Sequence, residues 1–198
     1  MKGLLFSPEM ARAVCAGTKT MTRRVVVPQP PHAEFTRFKE YTYRPGERVA
    51  MLATWAVDVG RDSIKPTAIR SLDYSQLPFW HAGMTKHKPL CNVPNLGKSR
   101  PGRFLPNHLR PLMPLLEIVS VKCERVQEIT EADAKSEGCD GNCQVGYIPA
   151  HQAGPCSYHF AQLWDSINGE RGYGWAVNPW CFCYTFKVVT PSRDRPHK

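Results

Sequence analysis

Hydrophobic and polar positions alternate at a period of two in three parts of the chain. Val49, Met51, Ala53 and Trp55 point to one face of a strand, and Arg44-Pro45-Gly46-Glu47 before them reads as a turn. Residues 115–126 form a second strand, with Val119, Val121 and Cys123 on one face. Trp180, Phe182, Tyr184, Phe186 and Val188 form a third with an aromatic face, and Cys181 and Cys183 alternate with them on the opposite, buried side. Residues 18–27 are rich in β-branched side chains and read as extended, ended by Pro28, Pro30 and Pro31.

The helical period marks three further segments. Ser7-Pro8-Glu9 starts a helix: serine caps, proline suits the first helical position and glutamate complements the dipole. Met10, Ala13 and Val14 give it one apolar face, and Gly17 is its stop. Thr130-Glu131-Ala132-Asp133 is a capping box with aspartate in the third place, opening a short helix to about Glu137 that stops at Gly138. Ser157 caps a longer helix on which Phe160, Leu163, Trp164 and Ile167 follow the i, i+3, i+4, i+7 rule, ended by Asn168-Gly169.

Between these elements, residues 58–112 are rich in Pro, Gly, Lys and Arg with little periodicity and read as a long irregular surface insertion. Residues 139–156 form a second loop, and 191–198 a flexible basic tail. Separated strands with short helices and no βαβ rhythm predict an α+β fold. Its centre would be a small barrel or curled sheet of mixed, mostly antiparallel strands, in one domain over residues 1–190.

Composition narrows the class. The chain has 198 residues, 42% hydrophobic and 22% charged, as expected of a globular protein. No apolar run approaches the roughly 20 residues of a membrane span. The run Leu4-Leu5-Phe6 is too short for a signal-peptide core, so a cytoplasmic setting in a bacterial host cell is expected. The net charge of +9 is uneven: residues 1–45 carry eight basic against three acidic side chains, 58–103 again eight against three, and 104–198 nine against ten. A polyanion partner fits that asymmetry; solubility alone is the plainer alternative. Eight cysteines without a secretion signal point to free thiols or a metal. Cys139, Cys143, Cys156 and His159 are candidate zinc ligands, set against incidental cysteines in a loosely spaced loop.

The stretch "AGTKTMTRR", residues 16–24, places a lysine inside a threonine ladder just past a helix stop. It resembles the Gly-x-Lys-Thr-x-Thr-x-Arg signature of the ASCH domain, a branch of the PUA-like β-barrel superfamily. "YRPGERV", "EITEADAKSEG" and "LWDSINGERGYGWAVNPW" agree in order and spacing, the last resembling a subgroup of bacteriophages and prophages. The resemblance implies a pseudo-barrel with a cleft for nucleotide or RNA, and no metal or other cofactor. Some bacterial members are similar to N(4)-acetylcytidine amidohydrolases, which use a lysine, a threonine and a glutamate; these fall on Lys19, Thr22 and Glu137, and the motif's arginine on Arg24. Where phage-type relatives carry an Arg-Glu pair before Thr-Trp, this chain has Leu52-Ala53 before Thr54-Trp55, a loss of charge that favours binding over catalysis.

The chemistry can be weighed on the residues themselves. On a strict strand Lys19 and Thr22 face opposite sides, so they converge only if the chain turns near Gly17. Two neighbouring arginines would lower the pKa of Lys19 and fit it as base or nucleophile, with Thr22 as the alternative and Glu137 as holder or proton shuttle. The plainer reading is that Lys19, Arg23 and Arg24 bind phosphates. Arg103, Trp55, Tyr173 and Trp175 are candidate contacts for phosphate or base, although large aromatics are more often packing. The expected partner is RNA, a modified nucleoside or nucleotide, or single-stranded nucleic acid. The alternatives are an amidohydrolase, a single-strand ribonuclease, or a basic surface that blocks a host protein.

Overall fold

The computed structural model describes residues 1–30, 42–57, 79–81, 98–139 and 155–189. The first helix starts as its residues dictate. Met10 N–H donates to Ser7 Oγ (3.3 Å) and Ala11 N–H to the Ser7 carbonyl (2.9 Å), so α1 runs Pro8–Ala16 with Pro8 in the first helical position. Ahead of it lies β1 (Gly3–Leu5), and β2 (Met21–Val25) follows. The strands β3 (Arg48–Leu52), β4 (Trp55–Val57), β5 (Phe79–His81), β6 (Leu115–Arg125) and β7 (Trp180–Val189) complete the set. Two further helices, α2 (Glu131–Ser136) and α3 (Cys156–Asn168), come between β6 and β7.

The result is an α+β fold on a mixed five-stranded sheet of order β1-β3-β6-β7-β2, with β4 and β5 paired separately. The β1–β3 pair is parallel; β3–β6, β2–β7 and β4–β5 are antiparallel. The turn before β3 forms as read, with Glu47 N–H donating to the Arg44 carbonyl (3.0 Å) across Gly46 at φ 81°. No helix among the described residues is long and apolar enough to cross a membrane.

The chain divides into two compact units, neither contiguous in sequence. The first comprises Met1–Ala16, Arg48–Glu117 and Val188–Lys198; the second comprises Gly17–Glu47 and Ile118–Lys187. In the first, Val49, Ala50, Met51, Leu52 and Ala53 are all buried, so the expected one-faced alternation gives way to a strand covered on both faces. Gly102 is required there: a Cβ on it would lie 2.7 Å from the Ala53 backbone nitrogen. Within the expected irregular insertion, Phe79–His81 is a strand, antiparallel to β4. Most of 58–112, nearly all of the 139–156 loop and the 191–198 tail lie outside the described residues.

The second unit packs α2 and α3 over a cluster of Val126, Ile129, Ala134, Cys139, Cys156, Phe160, Trp164, Cys181 and Cys183. In β7, residues 181–184 are buried on both faces, the cysteine face included as its pattern predicts, whereas Lys187 and Val188 at its end are exposed. The Val119, Val121 and Cys123 face of β6 is half-buried to exposed, and Ile118 on the other face is buried. The Thr130 half of the expected capping box forms, with Asp133 N–H donating to Thr130 Oγ1 (3.1 Å), while Asp133 Oδ2 accepts from Arg23 (3.1 Å). Ser157 is not the cap of α3. The helix starts at Cys156, and the Glu131 carboxylate accepts from the N–H groups of Cys156 (2.9 Å) and Ser157 (3.0 Å) as well as from the Ser157 hydroxyl. Ile167 is exposed, and Asn168 is buried in the last turn.

Candidate functional site

Two helix exits within the second unit build the site. Gly17, at φ 78°, turns the chain out of α1, and Gly138, at φ 94°, turns it out of α2. Glycine adopts this left-handed conformation without steric cost. Thr20 N–H donates to the Ser136 carbonyl (2.8 Å), and the Thr20 carbonyl accepts from Phe186 N–H (2.8 Å). The segment just before β2 is thereby tied to the end of α2 and to β7.

Lys19 and Glu137 meet at that junction. The ammonium donates to Glu137 Oε2 (2.6 Å) and to the Glu137 main-chain carbonyl (2.7 Å), and both residues are buried, 2% and 6% exposed. The turn that the residues required is present: 18–20 precede the strand, so strict alternation does not govern Lys19. Its pKa is lowered, chiefly because burial disfavours the ammonium; the Glu137 carboxylate opposes the shift, and Arg24 adds to it in the expected direction. The predicted cause, repulsion by neighbouring arginines, is therefore the smaller one.

Arg23, read from the sequence as a phosphate contact, is 4% exposed and spends its guanidinium on carboxylates. Nη2 reaches Glu124 Oε1 (2.6 Å) and Asp133 Oδ2 (3.1 Å), and Nη1 reaches Glu137 Oε1 (3.4 Å). Burial works to lower its pKa, and the nearby Cys183, Glu137 and Glu124 raise it on balance. Glu124 and Asp133 were not among the residues singled out by sequence; the signal available was that a buried arginine on β2 must find carboxylates. Arg24, half-buried, has its pKa lowered by desolvation, with Glu137, Tyr43 and Tyr184 opposing. Thr22 is buried in β2, in register with Tyr184, on the strand face opposite Arg23.

The other candidates fall elsewhere. Trp55 is 0% exposed in the first unit, beneath the Arg100 guanidinium (5.2 Å to the ring centre), and is a core residue rather than an open stacking platform. Arg103 is exposed in that unit, stacked 4.8 Å over the ring of Phe104. In the second unit Tyr173 gives its carbonyl to Trp164 Nε1 (2.8 Å), and Trp175 packs edge-on against Phe160 (6.3 Å). Among the described residues no group of three His, Cys, Asp or Glu is placed to hold a metal. Cys139 and Cys156 belong to the apolar cluster, His159 is buried with neither ring nitrogen hydrogen-bonded, and Cys143 lies outside the described residues.

No protein-family model and no curated protein matches this chain. Solved structures similar to it include protein EF3133 from Enterococcus faecalis V583, of family model DUF984. That likeness has 12% identity and a TM-score of 0.46 over 100% of this chain and 86% of that one. An ASCH domain from Lactobacillus crispatus JV V101 is similar at 13% identity, with a TM-score of 0.37 over 91% of this chain and 70% of that one. Likenesses of this degree carry no conclusion about the chemistry of the site.

Proposed function

We propose that this chain is an ASCH-type, PUA-like domain of phage or prophage origin that recognises RNA or a modified nucleoside at a site centred on Lys19 and Glu137. The observation that carries this reading is the 2.6 Å contact between those two side chains, which lie 118 positions apart in sequence. The motif resemblance implies that a lysine and a glutamate at these two places share a site. A buried ion pair costs desolvation that its mutual attraction only partly returns, so one kept in the interior is a candidate for function. The basic first half of the chain supplies the charge a polyanion needs.

Titration calorimetry of the intact protein with single-stranded RNA and with N(4)-acetylcytidine tests the reading. RNA affinity is expected to fall as salt rises, because phosphate contacts release counterions, and nucleoside affinity is expected to fall in Lys19→Ala. Absence of binding to both ligands at millimolar protein would sink it.

A second reading, amidohydrolase action on N(4)-acetylcytidine-type nucleosides through Lys19, Thr22 and Glu137, draws on the lowered pKa of Lys19 beside a carboxylate at hydrogen-bond distance. Hydrolysis adds water across the amide: the hydroxyl goes to the acyl carbon, the C–N bond breaks and the departing amine takes the proton. Glu137 is placed to accept a proton from Lys19 and pass one on. Chromatography after incubation with N(4)-acetylcytidine should detect cytidine and acetate; no release, or release unchanged in Lys19→Ala, removes the reading.

A further inference from the structure

We infer that Arg23 is a positioning residue for Lys19, acting through Glu137, and is not a contact for ligand phosphate. The inference rests on the reading that the Lys19–Glu137 pair is the functional centre. Glu137 gives one carboxylate oxygen to each cation: Oε2 to Lys19 Nζ at 2.6 Å and Oε1 to Arg23 Nη1 at 3.4 Å. A carboxylate is planar, so restraining Oε1 restricts where Oε2 lies. Lys19 also donates to the Glu137 main-chain carbonyl at 2.7 Å. With two of its three donor directions taken, tetrahedral geometry sets the third. The direction in which Lys19 presents its remaining N–H therefore depends on where Glu137 is held.

Arg23 is suited to that task. Its side chain is 1% exposed. Glu124 Oε1 from β6 and Asp133 Oδ2 from α2 hold Nη2 at 2.6 and 3.1 Å, and Met21 Sδ lies 3.4 Å from Nη1. The Phe160 ring sits 5.8 Å from the guanidinium carbon. The two terminal nitrogens of the planar fork serve three carboxylates at once, which the single ammonium of a lysine does not, while Nε is buried without a hydrogen-bond partner. A phosphate could reach Nη1 or Nη2 only by displacing the carboxylates paired with them, and the remaining Nε is buried. The same pairing makes the immediate surroundings of Lys19 poor in free positive charge, since Lys19 and Arg23 face three carboxylates.

The experiment follows Lys19 directly in the full chain labelled with ¹⁵N-lysine, its Nζ resonance assigned by its loss in Lys19→Met. Arg23→Lys keeps the charge and removes the fork. If Arg23 positions Glu137, exchange of the Lys19 Nζ protons speeds up by about tenfold or more and their pH midpoint moves, while cooperative unfolding persists. A folded Arg23→Lys protein with the wild-type Lys19 resonance, exchange rate and midpoint overturns the inference. Should Arg23→Lys fail to fold, Glu124→Gln and Asp133→Asn loosen the guanidinium without removing it. Faster exchange at Lys19 then supports the inference, and an unchanged signal overturns it. The salt dependence of RNA affinity gives a second readout. A phosphate contact would lower the logarithmic salt slope by about one in the charge-removing variant Arg23→Gln, and that result also overturns the inference. Failure of the functional reading appears separately, as absence of ligand binding, and leaves the Lys19 signals untouched.

Discussion

The two units of the chain bury different chemistry. Among the described residues, the buried polar and charged side chains Lys19, Thr22, Arg23, Glu137, His159 and Asn168 all belong to the second unit. In the first, the largest fully buried side chains are Val14, Val49, Met51, Trp55, Leu109, Met113 and Leu116. The first unit is therefore held by volume and shape, where loss of a methyl or addition of one is felt directly. The second depends in addition on pairing every buried charge, and pairing is sensitive to pH and to removal of a single partner. A unit built the second way is the costlier to keep, which is why the candidate site is sought there.

The contrast breaks most visibly at Glu137. Glu137→Ala leaves the Lys19 ammonium buried without its carboxylate and should cost about 3–5 kcal/mol in urea denaturation. The double variant Lys19→Met/Glu137→Leu removes both charges and should regain most of that loss. If the single variant costs no more than the roughly 0–1 kcal/mol of an exposed pair, the second unit is not organised around this contact. The pH dependence has a definite sign. Lys19 has a folded pKa below its ordinary 10.5, so between those values the unfolded chain binds more protons. Its contribution to stability therefore rises with pH across that interval, and Lys19→Met should abolish the rise.

The first unit should answer to sterics instead. Gly102→Ala places a methyl 2.7 Å from Ala53 N and 2.8 Å from Ala53 O, which is backbone that cannot step aside. A loss of about 1–3 kcal/mol is expected, equal at pH 6 and pH 9 because no titrating group is involved. A neutral result would mean that β3 and the 102–104 turn have slack the packing does not suggest.

A smaller alkaline effect sharpens the comparison. Burial pushes the Tyr184 hydroxyl from 10.0 up to about 12, against hydrogen bonds from Thr42. The folded state thus keeps a proton that the unfolded chain releases, and stability is lost as pH rises from 10 toward 12. The loss is on the order of 1 kcal/mol, and Tyr184→Phe should flatten this part of the denaturation profile. An equally steep fall in the variant would assign the alkaline loss to other groups, Cys123 among them, whose thiol burial pushes up to about 11.

Local chemistry was legible in the sequence and tertiary pairing was not. Ser7-Pro8, the Gly46 turn and the Thr130 cap form where they were read, because each is decided within four residues. The meeting of Lys19 with Glu137 was legible only through motif resemblance; strand periodicity alone separates Lys19 from its neighbours incorrectly, since β2 begins two residues later. The partners of Arg23 were not legible because its carboxylates come from β6 and α2, and nothing in "TMTRR" announces them. The burial of β3 was misread for a related reason: how many faces of a strand are covered depends on what packs over it.

Glu131 is the most instructive of these errors and yields the smallest expected effect. The sequence assigns Glu131 no role of its own and makes Ser157 the cap of α3. In the fold the Glu131 carboxylate takes the N–H groups of Cys156 and Ser157 at 2.9 and 3.0 Å, so one helix supplies the N-terminal cap of the next. Bonds from Ser157 lower its pKa below the ordinary 4.5. A lowered carboxylate contributes stability above its ordinary value that is lost as pH falls through the folded one. Glu131→Gln should therefore speed amide exchange at Cys156 and Ser157 and lower the melting temperature slightly at neutral pH, with the difference from wild type shrinking in acid. If the two amides exchange at wild-type rates in the variant, α3 is capped by something other than α2, and the tie between these helices must come from the apolar cluster alone.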